Sequence, residues 1–526
     1  MSVKKSHSNQ PIWNLIILWV FLWAIVYIRV PDKWIGLKDG YYYSLWIKTF
    51  INSPGLNDIN GTQYVSYPFY WFWTWGQVYR FLGWASPSNI YAITAMASFV
   101  FGTLLANWIL KKVVSPTISY AMILIFELFF LMTNQVQIWQ KPHEHFAFLV
   151  SSSCVIYLSK KLFAPHTIPL SELGKIGFLL GFAFGCYTPP VVALAPGFLL
   201  YIIVRLKDLN KTSLAVVFAT LLATSAPQLF VTLRTLLHFD KAPTPFIYQI
   251  TEFFPNLWIP VWLLIFTGVI FVFAPKAEMA DFAHFVKVMI FSLFLMYLVV
   301  QIAYFFDVII NRSDIILISG TIMLLWAPLF HLNLSFLESK AALIATPLLL
   351  SILFFSNTTP QFPGADTDFR ANAQISEARA TNSDLVITSK IYSSNFCGKK
   401  IFSNDELRFL PASIACNTPM TLPFNEGNTG PDIDYQPRIL SLKSALESNS
   451  GQEFNTWLDN TGTQFLALRA VAGQYNFDFL VNKNFPISGT VPFPTFSISE
   501  EKLLKFLDSS WKIVLNESGL LLVARN

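Results

Sequence analysis

Residues 341–361 read AALIATPLLLSILFFSNTTPQ, and the change at Ser356 decides the fold. Before it stands the last of a series of long apolar runs that begins at Trp13. From Asn357 onward no such run recurs. A helix needs about 20 apolar residues to cross roughly 30 Å of hydrocarbon. Lipid satisfies no backbone hydrogen bond, so only helices and closed barrels can span it. Runs this continuous exclude barrel strands, which would alternate. The first two thirds of the chain therefore read as a polytopic α-helical membrane domain, and the last third as a water-soluble appendage.

Composition points the same way. Of 526 residues, 54% are hydrophobic and 13% charged, with a mean hydropathy of +0.48. The net charge of +5 is dispersed. No basic stripe of the kind nucleic acid requires is present, so that class of partner is discarded. Lys4 and Lys5 precede the first apolar run, and no small-residue cleavage site follows it. The expectation is an uncleaved anchor with a cytoplasmic N-terminus.

Working back from residue 341, about 11 transmembrane helices are expected: 13–28, 90–110, 118–132, 146–162, 176–187, 191–204, 214–233, 257–273, 285–306, 315–330 and 341–355. The fifth and sixth meet at Thr188-Pro189-Pro190, as a broken hairpin or as one long kinked helix. On the side of Lys4, the breaks carry Lys111-Lys112, Lys160-Lys161, Arg205 with Lys207 and Lys211, Lys276 with Lys287, and Lys340. The opposite breaks are poorer: Lys141, Arg234 with Lys241, and Arg312. By the positive-inside rule the first set is cytoplasmic. An odd number of spans then puts the C-terminal part on the outer face, periplasmic or extracellular, of an inner (plasma) membrane. The long loop 29–88 lies on the outer face too.

Three regions follow: a membrane domain over 1–356, a linker rich in Pro, Thr, Asp and Ala over 357–383, and an α/β domain over 384–526. In the last, strands are expected at 385–388, 465–468 and 477–481. An amphipathic helix is expected at 500–506, and paired strands at 511–515 and 520–524 around Asn516-Glu517-Ser518-Gly519. Cys154 and Cys186 sit inside apolar spans as small hydrophobes. Cys397 and Cys416 fall in the outer, oxidising region, where a disulfide between them is expected.

The outer breaks carry the candidate chemistry. The first loop holds Leu37-Lys38-Asp39-Gly40-Tyr41 soon after the first span. Tyr67-Pro68-Phe69-Tyr70-Trp71-Phe72-Trp73-Thr74-Trp75 follows. It is too short and too aromatic to span, and suits a helix lying at the interface, with a second at 42–51. Asp39 is thereby placed at the membrane surface, within reach of a lipid-linked substrate. The break before the fourth span reads Lys141-Pro142-His143-Glu144-His145. Two imidazoles two residues apart face different sides of a helix. Positioning of a sugar or an acceptor hydroxyl is expected there rather than a shared metal. Arg234 and Arg312 are outer-side guanidinium groups suited to a phosphate. Glu127 is an acid inside the third span, and such acids are functional by default or hydrogen-bonded between helices. Asp366-Thr367-Asp368 and Asp432-Ile433-Asp434 match a short acidic pattern that recurs by chance.

Taken together, these segments resemble the GT-C superfamily of integral-membrane, polyprenyl-phosphate-sugar-dependent glycosyltransferases. Asp39 in Lys38-Asp39-Gly40-Tyr41 matches the place of that family's catalytic acid. Tyr67-Pro68-Phe69-Tyr70 resembles its aromatic-proline segment, and Lys141-Pro142-His143-Glu144-His145 its His-Pro-Glu segment. The resemblance implies transfer of a single sugar, with inversion, from a polyprenyl-phosphate donor to an acceptor hydroxyl on a glycan or protein. Asp39 would be the general base. Lys38, Tyr41, Tyr67, His143, Glu144, His145, Arg234 and Arg312 would bind substrate. The lipid-linked sugar is the co-substrate and the bilayer a partner. No metal ligands are assigned: the loop lacks an acidic pair, which puts metal dependence in doubt, and a divalent cation is kept only as an alternative. The WWDYG motif of oligosaccharyltransferases is absent, which argues against en bloc transfer to Asn. The competing reading is a multi-span transporter or lipid-linked-sugar flippase, although the chain shows no repeated halves.

Overall fold

The computed structural model describes residues 12–17, 20, 47, 50–51, 69–83, 90–133, 142–163, 168–237, 280–305, 313–330, 399–404, 436–448, 450–477, 480–481, 491–492, 495–517 and 519–526. The chain divides into two compact units. One comprises 1–29, 93–229 and 243–374, and the other 30–92, 230–242 and 375–526.

The first unit is helical. The described helices are α2 (Ile90–Leu110), α3 (Pro116–Thr133), α4 (Pro142–Lys161), α5 (Leu170–Cys186), α6 (Thr188–Val204), α7 (Lys211–Leu237), α8 (Ala280–Phe305) and α9 (Ser313–Trp326), after α1 (Tyr70–Phe81) of the second unit. They fall on the expected runs, with α4 beginning four residues earlier than hydropathy alone indicates. The expected fifth and sixth spans are two helices, with Tyr187 extended between them at φ −160° and ψ 105°. Pro189 and Pro190 open α6, where a missing N–H costs nothing. The expected eighth and eleventh runs lie outside the described residues. By length and composition, Lys211–Leu233 and Ala280–Val300 are long and apolar enough to cross a membrane, and Met96–Leu110, Pro116–Glu127 and Thr188–Val204 are shorter apolar helices.

Helix α4 is the core of this unit. It is buried along nearly its whole length, and α3, α5, α6 and α8 all pack on it. Its serines allow the close approach. The hydroxyls of Ser151, Ser153 and Ser159 donate to the carbonyls of Phe148, Leu149 and Ile156 on the same helix. Small residues at helix interfaces let backbones approach where lipid supplies no hydrophobic drive. In contrast, Phe291, Leu295, Val299 and Ile302 are exposed at helical spacing along α8. Such an apolar stripe suits contact with lipid.

The second unit holds a six-stranded sheet. Its strands are β1 (Ile401–Ser403), β2 (Phe465–Val471), β3 (Gln474–Phe477), β6 (Phe496–Ser499), β7 (Trp511–Glu517) and β8 (Leu520–Arg525). The order is β6-β3-β2-β8-β7, and β1 runs parallel along the first part of β2. A separate pair joins β4 (Leu480–Val481) to β5 (Val491–Pro492). The single strand expected at 477–481 is therefore two short ones with different partners. Helices α10 (Gln436–Glu447), α11 (Gly451–Thr461) and α12 (Glu500–Phe506) cover one sheet face. Ile439, Leu442, Phe454, Trp457, Leu458 and Leu503 meet Leu466, Leu468, Leu521 and Val523 there. Helix α12 falls on the expected amphipathic segment at 500–506, whereas α10 and α11 are additional. The caps of α11 are nevertheless ordinary: Ser450 accepts from the Gln452 N–H, and Gly462 closes the helix at φ +66°. Only a residue tolerant of the left-handed region fits such a C-cap. Helix α1 also belongs to this unit. Its Gly76 lies against Phe50, and the Gln77 amide donates to the Phe50 carbonyl at 2.9 Å.

Candidate active site

The described part of the candidate site is the start of α4. Pro142 opens the helix, and Glu144 in its first turn favours the positive end of the helix dipole. His143 and His145 are both 0% exposed, although they lie two residues apart. A helix turns about 200° over two residues, so they face opposite sides. His143 stands edge-on to Tyr187, with ring centroids 5.8 Å apart. His145 faces α2 and α3 instead. Its Nε2 lies 2.9 Å from Oε2 of Glu127, and the Thr103 hydroxyl donates to the other carboxylate oxygen at 3.4 Å. Phe99 and Phe126 bracket the imidazole, at centroid distances of 4.2 and 5.1 Å.

The electrostatics follow from the burial. Glu127 and His145 are both fully enclosed. A carboxylate alone in such surroundings would be expensive, and pairing with hydrogen-bonding partners offsets that cost. Glu127 thus takes the interhelical role that sequence analysis left as one of two options. Thr103, Phe99 and Phe126 carried no signal in the sequence, because nothing in their spacing marks a partner 18 or more residues away.

The structure brings together His143, Glu144 and His145 on one helical turn, with the two histidines directed apart. Arg234 lies on α7, and its side chain is outside the described residues. Lys38, Asp39, Tyr41, Tyr67, Lys141, Arg312, Cys397, Cys416 and both short acidic patterns also lie outside the described residues. Cys154 and Cys186 are buried free thiols. Among the described residues no group of three or more His, Cys, Asp or Glu side chains converges as metal ligands would.

No protein-family model matches the chain, and none of the curated proteins matches it in sequence. Solved structures do match. The crystal structure of ArnT from Cupriavidus metallidurans, bound to undecaprenyl phosphate, aligns over 97% of this chain and 98% of its own, with a TM-score of 0.53 and 12% identity. The chain has the GT-C fold. The oligosaccharyltransferase of Archaeoglobus fulgidus in its apo form aligns over 87% of this chain and 69% of its own, with a TM-score of 0.45 and 11% identity. The same archaeal enzyme, AglB, with an inhibitory peptide and a dolichol-phosphate, gives a TM-score of 0.44 and 12% identity over the same shares. The GT-C likeness to ArnT extends along nearly the whole chain, so it takes in both the helical unit and the sheet region.

Proposed function

We propose that the chain is a GT-C-type membrane glycosyltransferase that moves one sugar from a polyprenyl-phosphate donor to an acceptor hydroxyl at the outer face of the inner membrane. One observation carries this reading: a fold shared from end to end with a protein crystallised on undecaprenyl phosphate. Asp39 takes the proton of the acceptor hydroxyl as its oxygen attacks the anomeric carbon. The bond from that carbon to the phosphate oxygen breaks, the carbon inverts, and polyprenyl phosphate leaves with the electron pair. Charge gathering on the departing phosphate requires a fixed cation. Arg312 is the first choice for it and Arg234 the second. Lys38, Tyr41 and Tyr67 line the same outer loop, and His143 and Glu144 orient donor or acceptor from the start of α4. No step runs through a metal.

The same proposal includes about 11 spans, the region 384–526 on the outer face as an acceptor-binding domain behind the linker 357–383, and a disulfide between Cys397 and Cys416. The acceptor is a cell-envelope glycan or a surface protein. The test is incubation of purified protein with a panel of polyprenyl-phosphate sugars and candidate acceptors, following loss of the lipid-linked sugar. Consumption of one donor by the native protein and not by Asp39→Asn is expected. An Asp39→Asn protein with native turnover would remove the base assignment, and inertness towards every donor–acceptor pair would remove the transferase reading.

A further inference from the structure

Glu127 has no part in the proposed chemistry, yet it is fully buried and bonded to two other helices. Its position explains why. On α3 it sits six residues before the end at Thr133, and His145 is the fourth residue of α4. The pair therefore ties together the two helices on either side of segment 134–141, and Thr103 ties α2 to the same carboxylate. Beyond the pair, the first turn of α4 carries His143 and the partly exposed Glu144. His143 meets Tyr187 on the other side. The turn is thus held from both flanks, with the polar contact on one and the aromatic contact on the other.

Buried polar pairs often gain nothing over hydrophobic replacements of similar volume, so stability alone does not account for this one. What a hydrogen-bonded pair adds is a fixed rotation and register. Along the rest of α4, the next directional side-chain contact to another helix among the described residues is that of Tyr157 with Glu172, near the other end. The contact of His145 with Glu127 is therefore the one placed to set the angle of the first turn.

We infer that Glu127 is a positioning residue: acting through His145, it fixes the first turn of α4 so that Glu144, the partly exposed residue of that turn, presents one orientation to the substrate, with His143 packed behind it. This rests on the transferase reading for what is presented, but not for the positioning itself. The test uses the full-length protein and two readouts. The first is the rate at which a hydrophilic maleimide labels Glu144→Cys, measured against the same protein without that change. Glu127→Ala should label several-fold faster, while Glu127→Gln, which can still bond the imidazole, should label at the native rate. The second readout, with Glu144 intact, is donor consumption. Glu127→Ala should lose roughly 10- to 100-fold, the scale on which small misplacements act, and Glu127→Gln should recover most of it.

The double replacement Glu127→Met/His145→Phe separates positioning from structure. It restores packing, so its thermal stability should be near native, while labelling stays fast and consumption stays low. Native labelling and native consumption in that double variant would overturn the inference, as would a Glu127→Gln protein as impaired as Glu127→Ala. If the native protein consumes no donor, the transferase reading falls, and the labelling rates still decide whether Glu127 positions the turn.

Discussion

The Lys112 ammonium lies 2.9 Å from Oε1 of Glu172, and the Tyr157 hydroxyl donates to the same oxygen at 2.7 Å. Lys112 also caps the Trp108 ring, 3.8 Å from its centroid. One carboxylate thereby joins the end of α2, the last third of α4 and the first turn of α5. Exposed ion pairs contribute little, but this one is three-quarters enclosed and shared by a second donor. Hydrogen bonds to charged groups contribute about 1.5–3 kcal/mol each when buried. Glu172→Ala should accordingly lower the unfolding free energy by about 1.5–3 kcal/mol, and Glu172→Gln by less, in detergent-solubilised protein. Equal midpoints for the native protein and Glu172→Ala would show that the contact contributes nothing.

A second prediction concerns how α5 meets α7. A Cβ at Gly181 would stand 2.7 Å from that of Thr224 and 2.8 Å from the Leu221 carbonyl oxygen. One turn earlier, a Cβ at Gly177 would overlap the Thr220 hydroxyl. At Gly174 the nearest atom would be 3.7 Å away, an ordinary contact. Gly181→Ala should therefore destabilise the helical unit by about 1–3 kcal/mol through overpacking. Gly174→Ala should be neutral or slightly stabilising, by up to about 1 kcal/mol, because alanine favours helix. Thermal unfolding of the two variants side by side is the measurement, and equal midpoints would refute the close approach.

The helices that were legible from sequence are those whose polarity changes sharply at both ends. The run at 90–110 is such a case and becomes α2 with the same bounds. The start of α4 was less legible, because Pro142, His143, Glu144 and His145 read as a polar break. Pro142 and Glu144 are local signals of a helix start, but the contact of His145 with Glu127 across the interface has no local trace. In the sheet region, the hairpin of β7 and β8 was readable from two short apolar runs flanking Asn516-Glu517-Ser518-Gly519, where Gly519 turns at φ +76°. Helices α10 and α11 were not read, since their apolar residues are few and the long polar stretch around them resembles loop. Asp39 and the arginines were legible only as residue types in a plausible place, because binding geometry depends on contacts distant in sequence.

Asn404 supplies a third prediction. It follows β1 and fills the corner where β1 leaves β2 and β3 begins. Its side-chain amide donates to the carbonyls of Arg469 and Asn476 at 2.9 and 3.0 Å, and its carbonyl accepts from the Arg469 N–H at 2.8 Å. Three backbone groups that the ladder leaves unpaired are thus satisfied by one residue. Each group left without a partner costs about 1–3 kcal/mol if water cannot reach it. Asn404→Ala should destabilise the sheet region by at least that much. Asn404→Asp should do comparable damage, since both donors are lost. Hydrogen exchange at the Arg469 amide is the direct readout, and native protection in Asn404→Ala would exclude this role.

The last prediction is a dependence on pH. Lys400 stands half-buried before β1, and its carbonyl accepts from the N–H groups of Gln464 and Phe465. Burial holds its ammonium below the ordinary lysine range, and the nearby Arg438 guanidinium lowers it further. A base depressed in the fold binds fewer protons there than in the unfolded chain, so stability rises with pH between the depressed value and the ordinary one. The contribution is complete above the ordinary lysine value and is lost as pH falls through the folded value. At neutral pH, Lys400→Met should therefore be more stable than the native protein, and its stability should rise less on going to alkaline pH. Tyr475 acts in the opposite sense. Burial pushes its phenol up, Glu500 adds to this, and the stability it contributes is full below the ordinary tyrosine value and is lost as pH rises from there through the raised folded value. The difference between the native protein and Lys400→Met removes that shared term. Denaturant unfolding of both, followed by tryptophan emission from neutral to alkaline pH, should give two curves that converge as pH rises. Parallel curves would mean that the Lys400 charge is as well solvated in the fold as outside it.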